Sequence, residues 1–277
     1  MSQYGFAGAL AACVFSVTAA LAADPSELQT IRTADDSRGF EAVGRLDLGR
    51  DGFCTGALIA PDLVLTAAHC LFDSNTHERI PDREVQFLAG WRDGRAMAYR
   101  DARRTVIHPD YRYTGPEGAE HVAVDIALVQ LSQPIRNGSV EPFETDKRPR
   151  KGAEIGVVSY ARDRATRPSI QETCHVLGRP AGTLVMSCSV DFGSSGAPVF
   201  SFATGEPRIV SVISAKAEIR GRPVSLGTRL DGALDELQAL LNDPPVVTST
   251  AAKPRVRSAT TVANGTTRSG GAKFMRP

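Results

Sequence analysis

The sequence lacks an excess of charge of either sign. Its 277 residues include 32 Lys and Arg against 31 Asp and Glu, which gives a formal net charge of +1. Chains that bind nucleic acid or lie on anionic membranes carry a basic excess, so the total indicates neither partner. With 42% hydrophobic and 23% charged residues, the composition also excludes a wholly disordered or fibrous chain.

No Cys-x-x-Cys pair occurs among the five cysteines, which argues against a zinc site and leaves no metal to expect. Cys13 lies in an N-terminal apolar segment, and the other four form an even set, as disulfides in an exported protein do. Four cysteines allow three pairings. The simplest choice is two local loops, each contributing about 3 kcal/mol, and it pairs Cys54 with Cys70 and Cys174 with Cys188.

Only one apolar run, residues 5–23, is long enough to span a membrane. It carries no charge, is rich in alanine and ends in Ala20-Leu21-Ala22, the small-x-small pattern of a signal peptidase site. We therefore predict a signal peptide over residues 1–22 and a secreted or periplasmic protein. The alternatives are an uncleaved anchor and a lipoprotein lipidated at Cys13.

Both ends of the mature chain are poor in large apolar residues. Residues 23–39 are polar and predict a loose leader or pro-segment. From Pro244 to Pro277 there are six Lys and Arg and no Asp or Glu, so the rest of the chain carries 26 basic and 31 acidic residues, a net charge of −5. We expect residues 243–277 to form a disordered basic tail, which is either a solvated linker or a weak contact to an anionic surface.

Helical periodicity is also scarce. One helix is predicted over residues 231–242, where Asp231 can cap it and Leu234, Leu237 and Leu241 share a face. A dozen short β-like runs separated by turn residues indicate an all-β sandwich or barrel. These runs are Ala42–Leu48, Phe53–Ile59, Leu63–Thr66, Val85–Leu88, Arg104–Ile107, Ile126–Leu131, Glu154–Tyr160, Glu172–Leu177, Thr183–Ser187, Ala197–Phe200, Ile209–Ala215 and Ser225–Arg229.

Three segments stand out for their chemistry. Residues 53–70 read FCTGALIAPDLVLTAAHC, residues 125–131 read DIALVQL, and residues 187–200 read SCSVDFGSSGAPVF. In this order they resemble the trypsin- and chymotrypsin-like serine proteases, especially the compact bacterial branch that includes the glutamyl endopeptidases. The resemblance covers about Phe40 to Leu241.

The resemblance implies an all-β, chymotrypsin-like fold for a serine protease domain over residues 40–242. Two six-stranded antiparallel β-barrels, about residues 40–131 and 134–230, would precede the C-terminal helix, with the active site in the cleft between them. The implied function is a secreted or periplasmic serine endopeptidase that acts on protein or peptide substrates as a monomer without a cofactor. The alternatives are a catalytically inactive, protease-like binding module and a cell-surface protein held by its basic tail.

The resemblance also assigns the catalytic residues. A serine hydroxyl is a weak nucleophile and needs a base that is neutral near pH 7. His69 would take the proton from Ser195, and Asp125 would orient the imidazole and stabilise its charged form. The N–H groups of Gly193 and Ser195 would form the oxyanion hole.

Two residues compete with these assignments. Asp110 lies in a His-Pro-Asp-Tyr segment that resembles a family loop, and we interpret it as a turn residue rather than as the triad acid. Ser194 is the neighbour of Ser195, but only Ser195 aligns with the family nucleophile. Ser194 stands where zymogen members keep an acid that pairs with a new N-terminal ammonium, and no Ile-Val-Gly-Gly-like start precedes Cys54. We therefore expect other contacts to hold the oxyanion hole.

In the resembled family, the segment before the nucleophile and a strand with an Ile-Val-Ser pattern line the primary pocket. By that alignment Ser189 replaces the aspartate of trypsin-like members, and Val210 replaces the histidine of glutamyl endopeptidases. Neither a basic nor an acidic side chain of a substrate would find an opposite charge in this pocket. Ile213 would narrow the entrance of the pocket. We thus predict cleavage after small or medium apolar residues, with Asp191 as an alternative charge near the pocket. The lining residues predicted by this alignment are Ser189, Val190, Ser211 and Ile213.

Overall fold

Short antiparallel strands make up most of the folded chain. A computed structural model describes residues 26–33, 35–49, 52–115, 119–147 and 149–242. The predicted signal peptide with Cys13 and the basic tail lie outside the described residues. Among those that are described, no helix has the length and apolar character needed to cross a membrane. The strands are β1 (Gln29–Thr30), β2 (Val43–Leu48), β3 (Gly52–Ala60), β4 (Leu63–Thr66), β5 (Val85–Ala89), β6 (Ala98–Ile107), β7 (Ala127–Leu131), β8 (Glu154–Ser159), β9 (Ser169–Gly178), β10 (Thr183–Met186), β11 (Pro198–Ser201), β12 (Arg208–Ile219) and β13 (Arg222–Thr228).

The first barrel contains strands β2 to β7 in the closed order β2-β3-β4-β7-β6-β5. Strand β2 pairs with both β3 and β5, which closes the ring and leaves no free edge. Alternate side chains point inward and fill the barrel with large aliphatic and aromatic groups. Wholly buried examples are Leu46, Leu58, Leu65, Phe87 and Leu128.

The second barrel contains strands β8 to β13. It runs in the order β9-β10-β13-β12-β11-β8, and an additional pairing between β8 and β9 closes it. Its buried centre includes Ile155, Val176, Leu184, Met186 and Val199. The expected pair of six-stranded antiparallel barrels is therefore confirmed. Every strand predicted from the sequence is present, although β6 begins six residues before the predicted Arg104 and β12 ends four residues after the predicted Ala215.

Aromatic side chains fill the contact between the barrels. The ring of Phe200 on β11 lies 5.4 Å from that of Phe40 and 4.8 Å from that of Phe143, both in edge-to-face geometry. Such pairs contribute about 0.5–1.5 kcal/mol beyond burial of their area. The predicted helix is also confirmed: α1 (Ala233–Asn242) buries Leu237 completely and packs Leu234 and Leu241 against the same core.

Each barrel is crosslinked by one local disulfide. Cys54 bonds Cys70 across 16 residues of the first barrel, and Cys174 bonds Cys188 across 14 residues of the second. The pairing is the simplest of the three that the sequence allows. Each bond mainly lowers the conformational entropy of the unfolded chain. For loops of this length the fold is thereby stabilised by about 3 kcal/mol.

The N-terminal segment is not the loose leader that its polarity suggests. Strand β1 pairs with the start of β9, and Gln171 Nε2 donates to the Ser26 carbonyl at 2.7 Å. Ile31 donates its N–H to the Pro168 carbonyl at 3.0 Å and is only 1% exposed. Backbone hydrogen bonds to an existing strand, together with one buried isoleucine, fix a segment whose side chains are mostly polar.

Candidate active site

The first barrel places a histidine beside a buried carboxylate. His69 lies in a 3₁₀ turn, Ala68–Leu71, directly after β4, and Asp125 precedes β7. Asp125 Oδ2 is 2.6 Å from His69 Nδ1, and its Oδ1 accepts the His69 backbone N–H at 2.8 Å. A carboxylate can only accept hydrogen bonds, so Nδ1 carries the proton and Nε2 of the neutral ring is free to act as a base.

The second barrel fixes this carboxylate from the other side. Ser214 Oγ donates to Asp125 Oδ2 at 2.5 Å. Thr228 Oγ1 lies 3.0 Å from the Asp125 carbonyl oxygen and 2.6 Å from that of Val122. Asp125 is 3% exposed; the hydrogen bonds from His69 and Ser214 satisfy its charge, which would otherwise be costly to bury, whereas Thr228 holds the backbone beside it.

The environment of His69 adjusts its proton affinity. Burial lowers the pKa of the imidazole, but the charge of Asp125 and the hydrogen bond to it outweigh that effect, so the pKa of His69 is raised above its ordinary value. The side chain remains 27% exposed, which leaves a face open to a substrate. The pair is thus a base stabilised in its charged form, as a proton-transfer group requires.

Ser195 lies on the loop between β10 and β11, where two glycines allow the chain to pack closely. Gly193 has φ +96° and Gly196 has φ +77°, a region that side chains rarely adopt. A Cβ on Gly193 would lie 2.6 Å from the Phe53 ring, and one on Gly196 would lie 2.1 Å from Thr66 Oγ1. Only glycine permits this approach to the first barrel.

This approach brings the loop against the chain that leads into His69. The same Cβ on Gly196 would lie 3.1 Å from the backbone nitrogen of Ala67, two residues before His69. Within the described ranges, no hydrogen bond joins Ser195 Oγ to His69 Nε2. There, the partner of Nε2 is Cys70 Sγ, at 3.9 Å. Such catalytic bonds are often long in the absence of substrate.

The two serines of the loop differ sharply in exposure. Ser195 is partly exposed, whereas Ser194 is completely buried. The hydroxyl of Ser194 lies 3.2 Å from the Tyr160 carbonyl oxygen and from Ser159 Oγ, and 3.4 Å from an Arg164 guanidinium nitrogen. A substrate cannot reach this hydroxyl, so Ser194 does not compete with Ser195 as a nucleophile.

The backbone of the loop has two donors available. Ser194 donates its N–H to the Asp191 carbonyl at 2.9 Å, and Gly196 donates to the Ile213 carbonyl at 2.8 Å. In the part of the chain that the structure describes, the N–H groups of Gly193 and Ser195 have no hydrogen-bond partner. Two free donors, the N–H of the partly exposed serine itself and that of the residue two positions before it, are the arrangement that a developing oxyanion needs.

The competing acid of the sequence lies elsewhere. Asp110 is exposed and donates its backbone N–H to His108 Nδ1 at 3.2 Å, as a turn residue does. The cysteines near His69 are also accounted for. Cys54 and Cys70 lie close enough to His69 to suggest a metal site, but their sulfur atoms bond each other and so are not thiolate ligands.

A cavity of about 510 Å³ opens beside the loop. Its lining includes Ser189 and Val190, two of the residues that the alignment assigns to the primary pocket. Ser211 and Ile213 do not line it, and their burial contradicts the prediction that they contact a substrate. Ser211 is completely buried and donates to the Thr228 carbonyl at 2.7 Å, and Ile213 is 2% exposed in the second core. The lining consists of Ser187, Cys188, Ser189, Val190, Lys216, Ala217, Pro223 and Val224.

The error is a displacement of three positions along one strand. The run Ile209-Val210-Ser211 is followed by Val212-Ile213-Ser214 with nearly the same pattern. Ser214, which the sequence reasoning missed, is the serine that reaches Asp125. The repeat of the pattern at Val212-Ile213-Ser214 was the signal that could have identified Ser214 as an alternative. Lys216 and Ala217, which follow it, line the cavity.

Charged groups bridge the edge of this cavity. Lys216 Nζ is 2.9 Å from Asp191 Oδ1, and the two side chains are 53% and 50% exposed. The hydrogen bond from Lys216, followed by the N–H of Phe192, lowers the pKa of Asp191. Phe192 is 58% exposed, and its ring lies 4.6 Å from Lys216 Nζ and 5.2 Å from the Arg162 guanidinium carbon. The charge of Asp191, an alternative in the sequence, is thus already paired.

Comparison with known proteins now decides the family. A family model described as a trypsin-like peptidase domain matches residues 54–210, more than half of the chain. The chain belongs to the trypsin-like peptidase family. The matched region contains His69, Asp125 and Ser195 in the order in which the family arranges its triad.

Relatives and solved structures agree with this assignment. The chain is 26% identical over 223 residues to the snake venom serine protease serpentokallikrein-1 of Protobothrops mucrosquamatus, covering 70% of this chain and 79% of that one. A trypsin of Phaedon cochleariae is 32% identical over 105 residues, which span 37% of this chain and 36% of that protein.

Two solved structures share the fold. A Glu endopeptidase in complex with MPD superposes with a TM-score of 0.63 at 16% identity, over 80% of this chain and 99% of that one. A thermostable serine protease, AL20, from an extremophilic microorganism superposes with a TM-score of 0.59 at 16% identity, over 73% and 98%. At this identity the likeness establishes the chymotrypsin-like fold alone.

Proposed function

We propose that this trypsin-like peptidase is a serine endopeptidase that hydrolyses peptide bonds through an acyl-enzyme. The observation that carries the proposal is the buried Asp125 bonded to His69 Nδ1 at 2.6 Å, which leaves Nε2 as a base on a partly exposed ring. The partly exposed Ser195, with its own N–H and that of Gly193 free to donate, supports the same reaction.

In the first half of the reaction, Ser195 Oγ attacks the carbonyl carbon of the scissile bond while His69 Nε2 takes the hydroxyl proton. The electron pair of the carbonyl bond moves to its oxygen, and the N–H groups of Gly193 and Ser195 stabilise the resulting oxyanion. Collapse of this intermediate breaks the C–N bond. The imidazolium gives its proton to the leaving amine, and the acyl group stays on Ser195.

In the second half, water replaces the amine. His69 Nε2 takes a proton from the water, whose oxygen attacks the ester carbon, and the tetrahedral intermediate again places its negative charge on the two N–H groups. Collapse returns the proton from His69 to Ser195 Oγ and releases the carboxylic acid. Asp125 stays ionised throughout and stabilises the imidazolium in both halves. Every proton moves between side chains, substrate and water, so the cycle needs no cofactor.

We further propose that the cavity beside the loop receives the side chain before the scissile bond. Val190, Pro223 and Val224 give it apolar walls, and its one lysine is already paired with Asp191. Because an unpaired charge is costly to bury, an apolar side chain is favoured over Arg or Glu. Ile213 lies in the core of the second barrel and does not narrow the cavity. The expectation that large aromatic side chains are excluded from the cavity therefore loses its support.

The two crosslinks support a proposal about the compartment. Two disulfides are typical of an oxidising environment, and together with the predicted signal peptide they support a secreted or periplasmic protein. We propose that it acts there as a monomer on proteins or peptides, with no role for nucleic acid.

Profiling a peptide library with the purified protein beside a Ser195→Ala control tests this function. We expect cleavage products that disappear in the control and that carry Ala, Val or Leu at the new C-terminus. Absence of cleavage by the wild-type protein, with intact folding, would instead favour a protease-like binding module. A preference for Arg would overturn the cavity assignment and point to Asp191.

A further inference from the structure

Thr55 occupies the point where the first barrel meets the nucleophile loop. It lies on β3 next to the disulfide-bonded Cys54 and is completely buried. Its backbone N–H donates to the Ser195 carbonyl at 2.8 Å, and its Oγ1 donates to the Gly193 carbonyl at 2.9 Å. One residue of the first barrel therefore contacts both residues whose N–H groups form the candidate oxyanion hole.

We propose that Thr55 is a positioning residue that orients the oxyanion-hole donors through its side-chain hydroxyl. This inference rests on the proposed function and extends it, since Thr55 itself touches neither the substrate nor the reacting atoms. The argument comes from the two peptide groups that Thr55 holds.

The first peptide group joins Gly193 and Ser194. A peptide group is planar, so two hydrogen bonds on opposite sides fix its orientation. Its carbonyl accepts from Thr55 Oγ1, and its N–H donates to the Asp191 carbonyl at 2.9 Å. Gly193 has no side chain to restrict its backbone, so the bond to Thr55 supplies a restriction that the residue itself cannot.

The second peptide group joins Ser195 and Gly196. Its carbonyl accepts from the Thr55 N–H, and its N–H donates to the Ile213 carbonyl at 2.8 Å. The peptide group that carries the Ser195 N–H lies between these two fixed groups. Its direction is therefore set from both sides, and a donor aimed in advance is what oxyanion stabilisation requires.

The Thr55 hydroxyl also belongs to a closed set of hydrogen bonds. It accepts the Tyr160 N–H at 3.0 Å, while the Tyr160 carbonyl oxygen lies 3.2 Å from Ser194 Oγ. Gly193 and Ser194 are thus tied to the end of β8 through two hydroxyl groups. In zymogen members of the family, an acid at the position of Ser194 pairs with an N-terminal ammonium group. Here the two hydroxyl groups take the place of that ion pair.

The test compares two substitutions at this position with a matched control. Thr55→Val keeps the shape and removes the hydroxyl, whereas Thr55→Ser keeps the hydroxyl. Thr105→Val is the control, because Thr105 is also a buried threonine on the first barrel and its hydroxyl bonds Arg79 and Asp82, outside the candidate site. Steady-state kinetics and thermal unfolding are measured for each.

We expect Thr55→Val to lower kcat by about 10- to 100-fold with little change in KM, since misdirected donors weaken transition-state binding more than substrate binding. Thr55→Ser should recover kcat to within about threefold of wild type. The pH midpoint of the activity should not move, because the His69–Asp125 pair is unaltered.

Two inhibitors separate positioning from a general loss of structure. A peptide aldehyde adds to a serine hydroxyl and places its oxygen in the oxyanion hole, whereas the corresponding peptide alcohol cannot. Thr55→Val should weaken the aldehyde in proportion to its loss of kcat and leave the alcohol unchanged. Thr105→Val should change neither.

Equal weakening of both inhibitors, no rescue by serine, or a loss of kcat no larger than that of Thr105→Val would overturn the inference. If valine prevents folding, Thr55→Ala is measured in the same way, and failure of both to fold would assign the hydroxyl a purely structural role and overturn it as well. Wild type and Ser195→Ala are assayed in parallel. A wild-type protein without activity would refute the proposed function, whereas an active one with an unimpaired Thr55→Val variant would refute this inference alone.

Discussion

The two halves of the candidate site are held by different kinds of interaction. In the first barrel, His69 is fixed by a buried carboxylate that accepts hydrogen bonds from the imidazole, a backbone N–H and Ser214. In the second barrel, the residues around Ser195 are fixed mainly by hydroxyl and backbone groups, and charged groups contact their neighbours Ser194 and Asp191. Charge-assisted hydrogen bonds are roughly twice as strong as neutral ones. A few of them therefore suffice to position His69, whereas the loop of Ser195 depends on a larger number of neutral hydrogen bonds.

This difference has a consequence for sequence reading. The charged half requires particular residues at particular places, and it appears as the short motifs around His69 and Asp125. The neutral half draws on hydroxyl and backbone groups of residues far apart in the chain, such as Thr55 and Tyr160. Tyr160 lies outside the three segments that resemble the family, and Thr55 lies inside the first one without any sign of what it contacts, so only the folded chain reveals their roles.

Removing the charge should break the first half most severely. Asp125→Asn replaces an acceptor of the imidazole N–H by a group that can also donate, which favours the wrong tautomer of His69. We expect kcat to fall by about 10⁴-fold while the fold persists. Asp110→Asn is the matched control, because Asp110 is exposed in a turn. A comparable loss in the control, or near-normal kcat in Asp125→Asn, would show that the acid has been misassigned.

The pH dependence of activity tests the same His69–Asp125 pair without altering the protein. His69 must be neutral to act as a base, and its pKa is raised by Asp125 despite the opposing effect of burial. Activity should therefore rise with pH, with a midpoint above the ordinary histidine value of about 6.5. At pH 5.5 we expect kcat/KM at least about tenfold below its plateau. A profile already flat at pH 5 would contradict a histidine base.

The edge of the cavity should give the smallest effect. Lys216→Ala removes an ion pair whose partners are about half exposed, so the free energy of unfolding should change by no more than about 1 kcal/mol. The carboxylate of Asp191 loses its partner, and cleavage after Arg relative to Ala should rise several-fold. Lys216→Arg keeps the pair and should leave this ratio unchanged. An unchanged ratio in Lys216→Ala would mean that Asp191 does not face the substrate.

The sequence predicted the strands because alternation and turn residues mark them locally, whereas the two barrels were implied by the family resemblance. The sequence could not place the side chains of β12, which is buried over six consecutive residues from Ile209 to Ser214. On such a strand hydropathy does not distinguish the two faces, and the register with β13 shifts between Ile213 and Ala215. Hydropathy and the repeated pattern therefore gave no means of preferring Ser214 to Ser211, and only strand pairing and the contact of Ser214 with Asp125 distinguish them.

The N-terminal segment teaches the same lesson. Its polar composition predicts a loose chain, but β1 is held through backbone groups that every residue possesses. Hydropathy records side chains, so it misses a strand that is added by main-chain hydrogen bonds. Ile31, buried in the core, was the one local signal of this contact.

Labelling with a fluorophosphonate, followed by peptide mapping, tests the central claim most directly. The reagent phosphonylates a serine only when a base and an oxyanion hole activate it. We predict stoichiometric label on Ser195 in the wild-type protein, none in Ser195→Ala, and label at Ser195 in Ser194→Ala. A folded wild-type protein that takes no label, or label on Ser194, would contradict the account.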